Sequence, residues 1–330
     1  MKTIAMRCVA ISALSLSVAW CALGELTARA ETRVKLHLDW IVNGYHAPFY
    51  AAVDRGLYKA AGLDVTIEPG RGSFDAIRSV AAKNAEFGFA DAATVIKSAA
   101  EGIPTVVVAV YLQKSPKGVV SFASKNIKRP KDLEGKTIGV VPEDASAKTF
   151  AAFLNKNGVD PAKVKIVNYT YATHTASLLT GQVDGATEYI IGAFIAAKNA
   201  GRGPVSWMSY DDFGVRSYSN GIIVHPDFRK SQPEVVRAFV KASIKGLEWA
   251  TSHVDAAVDI VAKHAQADKP TLKEQFVLAI PLMSNEDTKK NGLGHMRQDL
   301  MEQTQELMVK YGGQPKPVPL DQVYTNEFLK

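Results

Sequence analysis

Five side chains able to grip a small molecule fall within a few positions of one another: Asp39, Trp40, Asn43, Tyr45 and His46. They supply a carboxylate, an indole, an amide, a phenol and an imidazole. An indole face stacks on a flat ring, worth about 0.5–1.5 kcal/mol beyond its buried area. An amide donates and accepts at once, which suits the edge of a heterocycle. Together they suit a flat, nitrogen-bearing ligand. Each also has a plainer use. Trp40 serves equally as a core indole. Asn43 is a turn former. His46 either meets a ligand nitrogen or caps the following helix and satisfies a local carbonyl.

The flanking residues must hold this loop in place. Residues 34–38 alternate apolar and charged, the pattern of a strand. Residues 47–58 carry apolar side chains at helical spacing, with Lys59 in the last turn and Gly62 beyond it. Residues 63–67 read as the next strand. The glycine-rich turn Gly70-Arg71-Gly72-Ser73 leads to a helix over 74–83, then a short strand at 87–90 and a helix from Ala92. The valine-rich stretch 105–111 is a buried strand. Repeated strand–helix units imply a mainly parallel sheet with right-handed crossovers. In such sheets ligands bind at the carboxyl ends of the strands.

The alternation continues after Ser115. Strands are expected at 119–123, 137–141, 164–169, 183–186 and 205–209. Helices are expected at 146–156 and 175–180, stopped by Asn157-Gly158 and Gly181. A long helix over 233–252, a second at 254–265 and an amphipathic one at 300–311 complete the chain. Periodicity alone gives an α/β protein of two domains.

The N-terminus reads as an export signal. Lys2 and Arg7 precede an apolar run from Cys8 to Leu23, and Ala28-Arg29-Ala30 is an A-x-A cleavage site. Both cysteines, Cys8 and Cys21, fall inside it. A mature chain from Glu31 therefore has no disulfide, thiol nucleophile or cysteine metal site. Across the whole chain, 39 Lys and Arg face 33 acids. Residues 1–30 hold three of the former (Lys2, Arg7, Arg29) and one of the latter (Glu25), so the mature net charge is +4. These charges are interspersed, and the modest run at 125–131 reads as a solvated turn, so no nucleic-acid partner is expected. The seven histidines are scattered, which gives no metal site and no cofactor.

The run Asp39-Trp40, Asn43, His46 resembles the D-W-x-x-N-x-x-H segment of ABC-transporter solute-binding proteins for thiamine-pyrimidine precursors, riboflavin, taurine, sulfonates or nitrate. The branch for thiamine-pyrimidine precursors, which includes fungal hydroxymethylpyrimidine synthases, is nearest; it usually has proline where Val42 stands here. The resemblance spans about the whole mature chain. It implies a type II periplasmic-binding-protein clam-shell of two lobes. Residues 31–114 and 219–330 would form the first and 115–218 the second, after a signal peptide at 1–30. It implies a periplasmic monomer that takes a small-molecule ligand and hands it to the transmembrane subunits of an ABC permease, and it does not imply an enzyme.

The resemblance also extends the candidate site. The turn holding Ser73 lies in the cleft of the family, though Ser73 is equally a helix N-cap. Asp91 ends the "GFAD" segment and either binds a ligand amine or caps the Ala92 helix. Tyr111 and Gln113 stand where the chain crosses to the second lobe and would line the cleft floor. The acids in Pro142-Glu143-Asp144-Ala145-Ser146 replace the glycine- and serine-rich turn of anion-binding relatives and would repel a sulfonate or nitrate; alternatively they favour a helix start. Glu188, at a strand end, can accept two hydrogen bonds from an aminopyrimidine, or sit in a surface ion pair. Tyr189 beside it can stack. Asn220 marks the return crossing.

The expected ligand is a thiamine-pyrimidine precursor or similar nitrogen heterocycle, with riboflavin next and a sulfonate or nitrate after it. The enzyme reading would have the histidine at the position of His46 consumed as substrate. It is disfavoured because residues 213–219 lack the thiols of the iron-associated stretch in those synthases.

Overall fold

The computed structural model describes residues 31–330. The expected signal segment lies outside them. Ten strands form two five-stranded sheets. The first holds β1 (Thr32–His37), β2 (Leu63–Glu68), β3 (Phe87–Asp91) and β4 (Val106–Val110), with β10 (Asn220–Val224) returning late in the chain. The second holds β5 (Lys117–Phe122), β6 (Thr137–Val140), β7 (Lys165–Asn168), β8 (Gly185–Tyr189) and β9 (Val205–Ser209).

The two sheets share one plan. Their orders are β2-β1-β3-β10-β4 and β7-β6-β8-β5-β9. In each, four strands run one way and one runs against them. The odd strand is β10 in the first, antiparallel to β3 and β4. In the second it is β5, antiparallel to β8 and β9. Each odd strand comes just after the chain has passed from one sheet to the other. The architecture is the two-lobed clam-shell, with mixed sheets rather than purely parallel ones.

Helices cover both sheets. The Pro233–Ser252 helix buries Val236, Phe239, Val240 and Leu247 at helical spacing. Phe239 stacks on Phe87 of β3, with centroids 3.7 Å apart. It crosses the Ala47–Asp54 helix closely at Gly246, where an added Cβ would stand 2.5 Å from the Pro48 carbonyl oxygen.

Several boundaries differ from expectation. The helix expected over 47–58 breaks at Gly56, whose φ of 65° is left-handed, and resumes as Leu57–Ala60. The strand expected at 183–186 is β8, shifted to Gly185–Tyr189 by its pairing with β5, so Thr187 and Glu188 lie within it. The helix expected at 175–180 begins earlier and is Tyr171–Leu179. The one expected at 254–265 ends at Val261, and a separate helix, Lys269–Ala279, follows.

Candidate functional site

The carboxyl ends of β1, β6 and β8 converge on one cavity of about 190 Å³. The first lobe contributes Asp39, Trp40, Asn43, Tyr45 and Pro69 from the loops after β1 and β2. The second contributes Asp144 after β6 and Glu188, Tyr189, Ile191 and Gly192 in and after β8. His264, Gln266 and Gln275, from the helical C-terminal part, close the remaining side.

The loop after β1 is locked by its own polar groups. Asn43 is an N-cap, its Oδ1 accepting from the Tyr45 N–H at 3.1 Å. The Asn43 N–H donates to His46 Nδ1 at 3.2 Å. His46 Nε2 then donates to Asp39 Oδ1 at 2.9 Å, and the Tyr45 hydroxyl donates to Asp39 Oδ2. Gly44 fits because it has no Cβ: one would stand 2.0 Å from the Leu272 carbonyl oxygen. Its N–H donates to Gln275 Oε1 at 2.9 Å. Trp40 is half-buried and meets Tyr171 of the other lobe edge-on, centroids 6.2 Å apart.

The opposite wall is acidic. Glu188 Oε1 accepts from the Tyr189 N–H at 2.8 Å, and Oε2 lies 3.6 Å from Nδ1 of buried His174. Gly192 leaves room for this carboxylate, since a Cβ there would come within 2.7 Å of Glu188 Cδ. Asp144 caps the Ala145–Lys156 helix, accepting from the Ser146 N–H at 2.7 Å. Burial pushes its carboxyl up to about 7, and the nearby Glu188 charge adds to the rise. Tyr189 lines the cavity, and its hydroxyl donates to Asn220 Oδ1 at 2.6 Å. No lysine or arginine lines the cavity among the described residues.

Trp40, Asn43, Glu188 and Tyr189 therefore meet around one space. The other candidates lie outside its lining. His46 is fully buried, because its two ring nitrogens are spent on Asp39 and on the Asn43 N–H. Ser73 is not the cap, which is Gly72; it begins the Ser73–Ala81 helix, and its hydroxyl accepts from the Asp91 N–H at 3.1 Å. Asp91 caps the Ala92–Ala100 helix through the Thr94 N–H, and the amine it meets is the chain's own Lys117, at 2.7 Å. Tyr111 is core, stacked on Phe49 with centroids 4.9 Å apart. Gln113 ties Val110 to His295 through their carbonyls. Asn220 is buried behind Tyr189.

Asp39, Tyr45 and Asp144 were named in the sequence for their loops, and the structure adds them to the lining. Gln275 and His264 carried no local signal, because they come from over two hundred positions beyond the loop they face. Among the described residues no group of three His, Cys, Asp or Glu could hold a metal ion. No helix among them is long and apolar enough to cross a membrane.

The chain is 28% identical over 307 residues to the riboflavin-binding protein RibY of Chloroflexus aurantiacus, covering 90% of this chain and 86% of that one. It is 24% identical over 262 residues to the formylaminopyrimidine-binding protein of Halalkalibacterium halodurans, covering 78% and 79%. A relative in Legionella pneumophila, 22% identical with 77% and 81% covered, is named a 4-amino-5-hydroxymethyl-2-methylpyrimidine phosphate synthase. In fold it is similar to the periplasmic aliphatic sulphonate binding protein SsuA of Escherichia coli, with a TM-score of 0.69 at 13% identity over 88% of this chain and 91% of that one. The sequence pattern described as NMT1/THI5 like matches residues 43–257, and the chain belongs to that family.

Proposed function

We propose that this chain is the solute-binding component of an ABC importer and that it captures a small aminated nitrogen heterocycle of the thiamine-pyrimidine-precursor kind. The observation that carries the reading is the cavity lining: the aromatic side chains of Trp40 and Tyr189, three carboxyl groups at Asp39, Asp144 and Glu188, and no lysine or arginine. An amine and a ring N–H are donors, and carboxylates accept them with charge assistance. A sulfonate or nitrate would instead meet like charge, which argues against the anion-binding alternative.

Riboflavin is the second reading, favoured by the relative that covers most of the chain. A cavity of about 190 Å³ lies below the roughly 300–1,000 Å³ of pockets for drug-sized ligands. A single ring suits it better than a tricycle with a ribityl chain.

In this reading, residues 31–114 and 219–330 move as one lobe and 115–218 as the other. A ligand touching both favours the closed form by the contacts that the second lobe adds. The mature monomer works in the periplasm and presents the closed form to the permease. Binding needs no catalysis.

A thermal-shift screen of residues 31–330 tests the reading. Its panel holds aminopyrimidines, formylaminopyrimidine, thiamine, riboflavin, purines, taurine, alkanesulfonates and nitrate. At about a hundred times its dissociation constant, a ligand adds about 2.7 kcal/mol of stability. The expected result is a rise with the pyrimidines that disappears in Trp40→Ala and in Glu188→Ala. A rise with sulfonates or nitrate alone overturns the ligand assignment.

A further inference from the structure

His174 touches no part of the cavity, yet it stands directly behind the carboxylate that does. It lies on the Tyr171–Leu179 helix and is 1% exposed. Its Nε2 is 3.2 Å from the Gly139 carbonyl oxygen of β6. A carbonyl only accepts, so Nε2 carries a proton. Its Nδ1 has no hydrogen-bond partner and faces Glu188 Oε2 at 3.6 Å. A neutral ring protonated on Nε2 would turn the Nδ1 lone pair toward a carboxylate, acceptor against acceptor. A second proton, on Nδ1, removes the conflict and makes an ion pair.

We infer that His174 is a positioning residue of the binding site, an imidazolium that aims the Glu188 carboxylate at the ligand. The inference rests on the reading that this cavity is the ligand site.

The surroundings agree. Burial works to lower the His174 pKa, but Glu188 foremost, then the Gly139 carbonyl and Asp144, raise it above the ordinary histidine value. The charged groups facing the ring are Glu188 from β8 and Asp144 from the loop after β6. Its own helix has no other charged residue. Lys198, on the neighbouring Ala193–Asn199 helix, is turned to Glu274 at 2.5 Å. The other oxygen of Glu188 is fixed by the Tyr189 N–H. One carboxylate oxygen is thus fixed by a backbone N–H, and the other is backed by a positive charge.

The sign follows. A raised histidine pKa means that the imidazolium is present at low pH and lost as pH rises through the folded value. Above that value Glu188 loses its backing charge, and the neutral ring presents a lone pair to it. With Asp144 held neutral, ligand affinity falls as pH rises, by at most tenfold per pH unit for one linked proton.

Two measurements test this. The first is an NMR titration of the His174 ring in residues 31–330 without ligand, in the unaltered protein and in Glu188→Gln. The ring is expected to titrate above the ordinary histidine value and, in Glu188→Gln, to drop below it. A ring that already titrates below it, or that ignores the substitution, overturns the inference. The carboxyl carbon shift of Glu188 in the unaltered protein gives the same reading if the variant fails to fold. The second is the dissociation constant of the panel ligand that binds, followed from pH 5.5 to 8.5. It is expected to rise with pH in Asp144→Asn, which removes the other carboxyl of the wall that titrates in this window, and to be weak and flat when His174→Gln is added to that variant. The same steep profile with His174→Gln added overturns the positioning role. A panel with no hit counts against the proposed ligand alone, and the titration still decides the ion pair.

Discussion

Asp144 caps a helix with one carboxylate oxygen while standing beside Glu188 at the cavity wall. The two roles favour different protonation states. The folded protein holds the Asp144 proton up to about 7, against 3.8 for the free side chain. A raised carboxyl pKa means that folding prefers the protonated form. Stability from this group is therefore full below about pH 4, falls between about 4 and 7, and is level above that. Asp144→Asn keeps an acceptor for the Ser146 N–H and removes the charge. Without ligand it should melt at the same temperature as the unaltered protein near pH 4 and at a higher temperature at pH 8. A melting difference that stays constant from pH 4 to pH 8 would show that Asp144 does not carry the strain. At this scale the sequence was informative where partners are local. Trp40, Asn43, Asp39 and Tyr45 share one loop, so their types and spacing were enough to place them together. His46 shows the limit. Its residue type suited a ligand, but a tight 3-10 turn folds both of its nitrogens back onto Asn43 and Asp39. No spacing rule distinguishes those two outcomes.

At the scale of elements, the junction of β3 with β5 is the exposed weakness of the fold, because it places a charge pair where there is no water. Asp91 ends β3 in the first sheet, and Lys117 begins β5 in the second. Both side chains are fully buried, and they meet at 2.7 Å. Ser217 adds a 3.3 Å contact to the ammonium. Removing one member of a buried pair typically costs about 3–5 kcal/mol, because the other charge stays behind unpaired. Lys117→Met should lower the free energy of unfolding by that order. Adding Asp91→Asn should recover much of it, since asparagine still caps the Ala92–Ala100 helix. Urea unfolding of the two variants decides the matter, and a loss below about 1 kcal/mol in Lys117→Met would mean that water reaches the pair. The sequence showed the elements themselves well, because apolar periodicity and glycine stops are local signals. It did not show this pair. Asp91 looked equally suited to an outside amine, and only the meeting of two sheets reveals that the amine is Lys117. The β8 boundary was misjudged for a related reason: its last residues are strand only because β5 lies alongside them.

At the scale of the whole molecule, the lobes also touch where the turn after β2 meets the turn after β6. Gly72 stands against the backbone of Glu143, and the Phe74 N–H donates to the Glu143 carbonyl at 3.1 Å. Arg78 reaches the Glu143 carboxylate at 3.8 Å, and the Lys148 ammonium lies 4.4 Å from the Phe74 ring centre. Gly72 has a φ of 143°, a region that side chains rarely adopt, and an added Cβ would stand 2.4 Å from the Glu143 oxygen. The obstacle is backbone, so it cannot swing aside as a side chain would. On the proposed closure of the lobes around ligand, Gly72→Ala should act mainly on the closed form. The lobes must part locally to admit the methyl group, and the N–H bond to Glu143 goes with the contact. The expected outcome is a dissociation constant raised at least tenfold, with the compaction on ligand binding seen by small-angle X-ray scattering diminished. The unliganded protein should lose only the roughly 1–3 kcal/mol that a strained backbone position costs. Arg78→Ala is the control on the same surface. Its half-exposed ion pair is worth about 0–1 kcal/mol, so binding should change by less than about fivefold. Equal weakening in both variants would point to electrostatics at Glu143 rather than close approach at Gly72. Unchanged affinity and compaction in Gly72→Ala would mean that the ligand-bound protein does not use this contact, and that closure is governed at the crossing strands alone.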